Sequence, residues 1–320
     1  MSSSSLNEVF AVKKFLAVIM FALMLTTTAR AAEFEMVEYS AQVKLQWLAA
    51  AGIPEAQKFL KLIKRPVFFN AGNLNDFERI EMTNALFQEL NYAAAIEYVR
   101  GKNYKNVFDL ACSLSPRAMI LGDEGRSVIV GELQSVCLLG DWCLEEVGSK
   151  KAIKNVEYLS FWLQDKQGMM NAADKLKGEV CIIEQGVMIY LTDDVRAQMY
   201  ENIRDVLKKH GGCMITSDFC QKKYFTDVAA ALYGEGNSAT LYDETKAMYE
   251  KVFGDKISDE SLQDEQEALE FLKTHGLVAR KVPLFTKRPA LNIFKKLTPE
   301  QIQKVNELTT RNYLWVITAL

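Results

Sequence analysis

"NVFDLACSLSPRA", Asn106 to Ala118, poses a choice on which the fold depends. A short apolar run carries Asp109. Small residues follow at Ala111, Cys112 and Ser113, and then comes a Pro-Arg pair. The pattern fits a buried strand entering a tight turn. It also fits a ligand cradle, because small side chains let a ligand approach the backbone. The next helix N-terminus then offers free N–H groups to a carboxylate or phosphate. The stretch is not a G-x-G-x-x-G turn, so the segments around it must separate the two readings.

Working outward, apolar runs rich in β-formers alternate with helical stretches from residue 106 onward. The strand candidates are Val107–Cys112, Ser127–Leu133, Val156–Leu163, Glu179–Glu184, Cys213–Ser217, Leu277–Pro283 and Tyr313–Ala319. Several are continuously apolar, as strands covered on both faces are. The segment 193–210, "DDVRAQMYENIRDVLKKH", has a clear helical face, and "GG" at 211–212 caps it and restarts the chain. A second capped helix is expected within 258–276. Upstream, 38–63 reads as helix interrupted at Gly52-Ile53-Pro54, and 76–100 as a helix or helix pair. Strand–helix alternation implies a doubly wound α/β sheet, in which ligands lie beyond the carboxyl ends of the strands. The expected organisation is a helical N-terminal segment or cap over 1–100, then an α/β domain over 101–320. A helical insert is expected around 220–255.

The residues after each strand therefore carry the functional reading. "SVIVGEL" ends in Glu132, a little over 20 residues beyond Asp109. An acid there either accepts hydrogen bonds from a ribose diol or is a solvated strand end. "VEYLSFWLQD" places Leu163, Gln164 and Asp165 after an aromatic pair, where an adenine could stack, although a Trp such as Trp162 is more often core than platform. "EVCIIEQGVMIYLTDD" puts Glu184 in an apolar strand, followed by Gln185 and Gly186. A carboxylate there costs several kcal/mol unless paired. It needs a ligand amine, backbone N–H groups or a cation, and an arginine salt bridge would also serve. Four such signals in order favour a site for an adenosine-containing cofactor.

Composition removes other classes. The chain has 320 residues, 49% hydrophobic and 25% charged, with net charge −3 and no basic stripe, so nothing points to nucleic acid. Six cysteines form no CxxC pair, and the two histidines, His210 and His275, stand alone, so no zinc spacing exists. There is no G-x-S-x-G elbow for a hydrolase. An NAD-dependent oxidoreductase would need a glycine-rich first turn and a catalytic Tyr-Lys or His, which are not visible.

Four blocks carry a resemblance: "NVFDLACSLSPRA", "VIVGEL", "GEVCIIEQGVMIYLT" and "ENIRDVLKKHGGCMITSDF". Together they resemble the leucine carboxyl methyltransferase-like family. These are class I S-adenosylmethionine (SAM) dependent O-methyltransferases and include enzymes of polyketide biosynthesis. The resemblance spans roughly 76–320 and is strongest at 106–219. "EQGVMIYL" is similar to the family's E-G-L-L-x-Y-L signature, and "FERIEMTNALF" to its Arg-bearing helix. It implies a Rossmann-like doubly wound seven-stranded sheet, mostly parallel with an antiparallel last strand, beneath an N-terminal helical cap. It also implies roles. Leu110, Ala111, Cys112 and Ser113 would lie against the methionine part of SAM, and Glu132 would hold the ribose hydroxyls. Leu163 and Asp165 would border the adenine. Glu184, with Gln185 beside it, would face the methionine amino group, the cation its burial demands. Arg79 would pair with the methionine carboxylate, and Tyr190 would line the acceptor pocket. Three departures stand out: Ser113 where the family has Gly, Gln185-Gly186 as an altered Glu-Gly step, and Trp162 in place of a smaller polar residue. They keep open a catalytically degenerate SAM-binding protein on the same fold.

The N-terminus carries two readings. Lys13 and Lys14 precede "FLAVIMFALML", and "TTTARA" follows, the pattern of a secretory signal cleaved after Ala31. The run is short for a membrane anchor. The alternative is an apolar helix, for the family's N-terminal helices end in a stretch that "TTTARAAE" resembles. An intracellular cofactor and unpaired cysteines favour the helix and a cytoplasmic protein; the exported α/β protein is the rival. The expected activity is transfer of a methyl group to a carboxylate or hydroxyl of a small molecule or peptide. Neither nucleic-acid binding nor stable membrane insertion is expected, and oligomeric state is open. Neither histidine offers a general base, which favours an already ionised carboxylate or an acidic hydroxyl.

Overall fold

The computed structural model describes residues 39–63, 74–253 and 262–320. The stretch read either as a secretory signal or as an apolar helix, with "TTTARAAE", lies outside the described residues. The chain from Ala41 to Leu320 forms one compact unit. Among the described residues no helix is long and apolar enough to cross a membrane.

Seven strands form one sheet in the order β3-β2-β1-β4-β5-β7-β6. They are β1 (Asn106–Leu110), β2 (Ser127–Glu132), β3 (Val156–Ser160), β4 (Val180–Glu184), β5 (Gly212–Thr216), β6 (Leu277–Pro283) and β7 (Tyr313–Ala319). Every candidate strand is present. The ends after β1, β2, β3 and β5 are shorter than the apolar runs, because the last residues turn away as loop. Strands β1 to β5 pair in parallel, and β7 runs antiparallel to both β5 and β6. All five residues of β1 and of β4 are buried, which is why both read as unbroken apolar runs. The order reverses between β1 and β4, with β2 and β3 on one side and β5 on the other. Their carboxyl ends form the switch-point crevice.

Twelve α-helices are described: α1 (39–51), α2 (Pro54–Ile63), α3 (Leu74–Lys102), α4 (Arg117–Asp123), α5 (Gln134–Val147), α6 (Lys150–Asn155), α7 (Lys166–Ala173), α8 (Asp193–His210), α9 (Gln221–Tyr233), α10 (Glu235–Phe253), α11 (Glu265–Thr274) and α12 (Pro299–Arg311). Residues 76–100 thus lie in one long helix, and the described part of 220–255 forms the helices α9 and α10. The break at Gly52-Ile53-Pro54 separates α1 from α2, as expected from Pro in the first turn of a helix. Two-residue alternation along the strands builds two cores. Phe108 and Leu110 of β1 and Ile182 of β4 pack with Met169 of α7, Met199 and Tyr200 of α8 and Leu272 of α11. A second cluster joins Leu86 and Leu90 of α3, Phe225 and Val228 of α9, Val305 of α12 and Leu314 of β7. The 211–212 glycines act as read from sequence. Gly211 (φ +73°) caps α8, its N–H donating to Leu207 O, and a Cβ on Gly212 (φ +93°) would stand 2.1 Å from Val180 O.

Candidate functional site

The register aligns the carboxyl ends. Leu110 is level with Gly131 on one side and Glu184 on the other, and Glu132 is level with Ser160. Beyond Leu110 the chain turns through Ala111 (φ +46°) and Ser113 (φ +61°), both left-handed and neither glycine. Such residues cost of order 1–3 kcal/mol each and persist only where surroundings hold them. Two hydrogen bonds do so here: Ala111 N–H donates to Gly131 O (2.9 Å), and Ser113 N–H to Glu132 Oε1 (2.6 Å). The side chains of Leu110 and Cys112 are fully buried, so these residues would meet a ligand only through backbone. Burial pushes the Cys112 thiol up.

Glu132 is buried, and burial raises its pKa against the lowering effect of N–H donors from Ser113 and Leu133. Each oxygen takes one such bond, which leaves a lone pair on each for a diol. Leu163 O accepts from Asn202 Nδ2 (3.0 Å). Asp165 is the N-cap of α7, its Oδ1 accepting from Gly168 N–H (3.0 Å). Trp162 is 47% exposed beside them and is not core.

Glu184 is fully buried, and neither carboxyl oxygen makes a hydrogen bond of normal geometry. No arginine pairs with it among the described residues. Its polar surroundings are Asp218, the Thr216 hydroxyl and the Val187 N–H. Burial and then the Asp218 charge push its pKa well up. Asp218, just past β5, instead gathers the loop after β4. Gly186 N–H donates to both its oxygens (2.7 Å each), Val187 N–H to Oδ2 at 3.1 Å and Met188 N–H at 3.3 Å. Gly186 sits at φ +84°, which a side chain would strain.

Gln185 turns to the opposite face. Its Oε1 accepts from Arg117 Nη1 (2.6 Å), and its Nε2 donates to Asn91 O (3.1 Å). Arg117 is itself buried and forks onto Asp109, with Nε to Oδ2 at 3.0 Å and Nη2 to Oδ1 at 2.6 Å. Sequence reasoning passed over this pair. The rule applied to Glu184, that an apolar-run charge needs a partner, would have found it at Asp109 and Arg117. It also passed over Lys44. That side chain is half-buried on α1 between the buried Ala41 and Leu48, and Nζ donates to Gln185 O (2.8 Å). Burial and then Arg117 lower its pKa, while Cys112, Asp218 and Asp109 oppose the shift. A lysine breaking the apolar spacing of "AQVKLQWL" was the available signal.

Tyr190 leaves 37% of its surface exposed, while its hydroxyl is pushed well up by burial and by Tyr249 and Asp218. Tyr249 of α10 also accepts from Trp47 Nε1 of α1 (3.2 Å), so the insert reaches both the loop after β4 and α1. Arg79 is placed elsewhere. It is exposed on α3, its guanidinium 5.6 Å from the Tyr233 ring centroid. Twelve residues before Asn91, it lies about 18 Å along the helix axis from the Gln185 contact. His210 pairs with Asp174 at the amino-terminal edge of the sheet (3.0 Å).

No protein-family model matches the sequence, and no curated protein matches it. Solved structures do. A DUF574 family protein from Streptomyces avermitilis is 11% identical, with a TM-score of 0.50, covering 87% of this chain and 96% of that one. Magnesium protoporphyrin IX methyltransferase from Synechocystis with bound SAH is 12% identical, at TM-score 0.44, covering 80% and 97%. The same enzyme with bound SAM gives 11% identity, TM-score 0.42 and coverage of 80% and 94%. At 11% identity, the likeness to the DUF574 family protein is one of fold.

Proposed function

We propose that this protein is a SAM-dependent O-methyltransferase acting on a carboxylate or acidic hydroxyl of a small molecule or peptide. The observation that carries the reading is Glu184: a fully buried carboxyl at the switch point of the sheet, neither oxygen of which makes a hydrogen bond of normal geometry. A buried polar group without a partner costs about 1–3 kcal/mol, so the site is built for something absent from the chain itself. An amino-acid ammonium answers that need. Lys44 supplies the matching cation for the carboxylate of the same amino-acid end, and it takes the role that sequence reading gave to Arg79. Glu132 keeps acceptor capacity for a ribose diol, and Leu163 and Asp165 flank the exposed Trp162 where an adenine would stack. The backbone of Leu110–Ser113 lies between these groups.

SAM, when bound, supplies an activated methyl group. The chain's own residues hold and orient it and keep water away, which is the main task in an in-line transfer. Tyr190, Tyr249 and Trp47 face the acceptor side, where helices α1 and α3 would form the cap and α9 and α10 the pocket wall. The two histidines lie on other elements, His210 paired to Asp174 and His275 bonded to Phe271 O (2.8 Å), so neither is placed as a base. A carboxylate acceptor needs none. All six cysteines are free, which suits a reducing cytoplasm.

The side chains at Ala111 and Ser113 support a second reading, a SAM-binding protein without turnover. Calorimetric titration of SAM against wild type and Glu184→Ala tests the first step. Wild type should bind with a Kd on the order of micromolar, and the variant at least about tenfold more weakly, about 1.4 kcal/mol. Equal affinity would remove the central residue assignment. Lys44→Ala should weaken binding by a similar factor. Methyl transfer to a panel of carboxylic acids and phenols then separates enzyme from binder.

A further inference from the structure

Glu184 and Asp218 are two carboxyl groups brought together by adjacent parallel strands: Ile183 of β4 is level with Ile215 of β5, Glu184 is the next residue of β4, and Asp218 follows two residues after the end of β5. Their surroundings differ. Asp218 accepts from three successive backbone N–H groups of residues 186–188, which fix its carboxyl group in place. Glu184 has no such donors of normal geometry. Among the described residues, each cation nearby already has at least one partner. Arg117 is forked onto Asp109 and bonded to Gln185, and Lys44 donates to Gln185 O. Arg196 of α8 bonds Asp193 and Leu191 O. The other titratable groups facing the pair are tyrosines. Tyr200 of α8 has a buried hydroxyl without a partner, and Tyr190 stands beyond Asp218. Two like charges in a dry pocket, only one of them held by donors, is an arrangement that favours a proton on the other.

We propose that Glu184 carries a proton in the free protein and that a cationic amine enters this pocket in exchange for it. The inference rests on the reading of the site as one for an amino-acid-ended ligand. On binding, the Glu184 O–H bond breaks, the proton leaves to solvent, and the carboxylate pairs with the ligand ammonium. Charge is conserved and nothing is oxidised or reduced. Asp218 is then a positioning residue. It orders the loop after β4 and keeps Glu184 neutral until the ligand arrives, so the buried pair never has to hold two unpaired negative charges.

The probe is SAM itself, titrated calorimetrically at neutral pH into the full chain in phosphate and in Tris, whose ionisation enthalpies differ. The wild type should release about one proton per SAM bound, seen as a buffer-dependent enthalpy. Its affinity should rise by up to about tenfold per pH unit on the acid side and then level off. Asp218→Asn should bind SAM with much less proton release, and Glu184→Gln should release none. Circular dichroism of each variant establishes that it is folded. If Asp218→Asn does not fold, the wild-type pH dependence alone decides. SAM binding with the same enthalpy in both buffers and a flat pH profile would overturn the inference while leaving the site reading intact. No SAM binding under any condition would overturn both.

Discussion

The Asp109–Arg117 pair shows how much one charge can depend on another. Both side chains are at most 2% exposed, and the guanidinium makes three hydrogen bonds. Removing one partner of a buried pair strands the other, which typically costs about 3–5 kcal/mol. Arg117→Met should therefore lower the urea midpoint sharply, and adding Asp109→Leu should recover much of the loss. A loss under about 1 kcal/mol would mean that water reaches Asp109. Ser113 presents a smaller effect of the opposite sign. Its left-handed backbone is disfavoured for any L side chain by about 1–2 kcal/mol, partly offset by the extra freedom a glycine has when unfolded. Ser113→Gly should raise stability by up to about 1 kcal/mol in a denaturant titration. The family resemblance marks this residue as a departure, and the φ of Ser113 explains why glycine suits the position. Ala111 shares the strain, although no local feature of the sequence marks it.

Elements place the site through their ends. The strands β1 and β4 finish level with one another and β2 one residue beyond them, and each runs on into loop or a helix N-terminus. Asp165 illustrates the double duty of such positions, because it caps α7 through Gly168 N–H at the edge where the resemblance places an adenine. Asp165→Ala should cost about 1 kcal/mol of stability through the lost cap. Its effect on SAM affinity should be smaller than that of Glu184→Ala, since a half-exposed acid loses less on removal than a buried one. A larger loss for Asp165→Ala would shift the main polar anchor to the adenine end. The helices α1 and α10 matter for a different reason. They bring Lys44 and Tyr249 to the loop after β4 from about 140 positions upstream in one case and about 60 downstream in the other. Such approaches are set by packing of apolar faces, because nothing local to either helix refers to the strand ends.

At the scale of the molecule, the buried acids shape the pH dependence of folding. Glu184, Glu132 and Glu89 all have pKa values raised by burial, whereas Asp174, Asp205 and Glu300 are lowered, by their lysine partners in each case and by Arg204 as well for Asp205. A raised carboxyl binds its proton more tightly in the folded state, so stability falls as pH rises above the ordinary Glu value of about 4.3. The lowered group acts the other way and loses its contribution only in acid. Glu184→Gln removes the largest raised group. The melting-temperature gain of that variant over wild type should therefore grow from about pH 5 to pH 8 in the absence of ligand, and a constant gap would mean that Glu184 is ionised throughout. The fold itself was readable in the sequence. Strands with both faces covered declare themselves as unbroken apolar runs such as "VCIIE", and "GG" after an amphipathic helix declares a stop, because both signals are local consequences of backbone geometry and burial. Glu184 was also readable, since a charge within an apolar strand stands out wherever the strand lies. What the residues did not disclose was pairing. Nothing near Arg117 says that it serves Asp109 rather than Glu184. Nothing near Arg79 says that its helix carries it some 18 Å along the axis from the Asn91–Gln185 contact, and nothing near Lys44 says that it reaches Gln185 O. Those outcomes depend on which faces of α1, α3 and α4 pack against the sheet, and long-range packing is a property of the assembled chain.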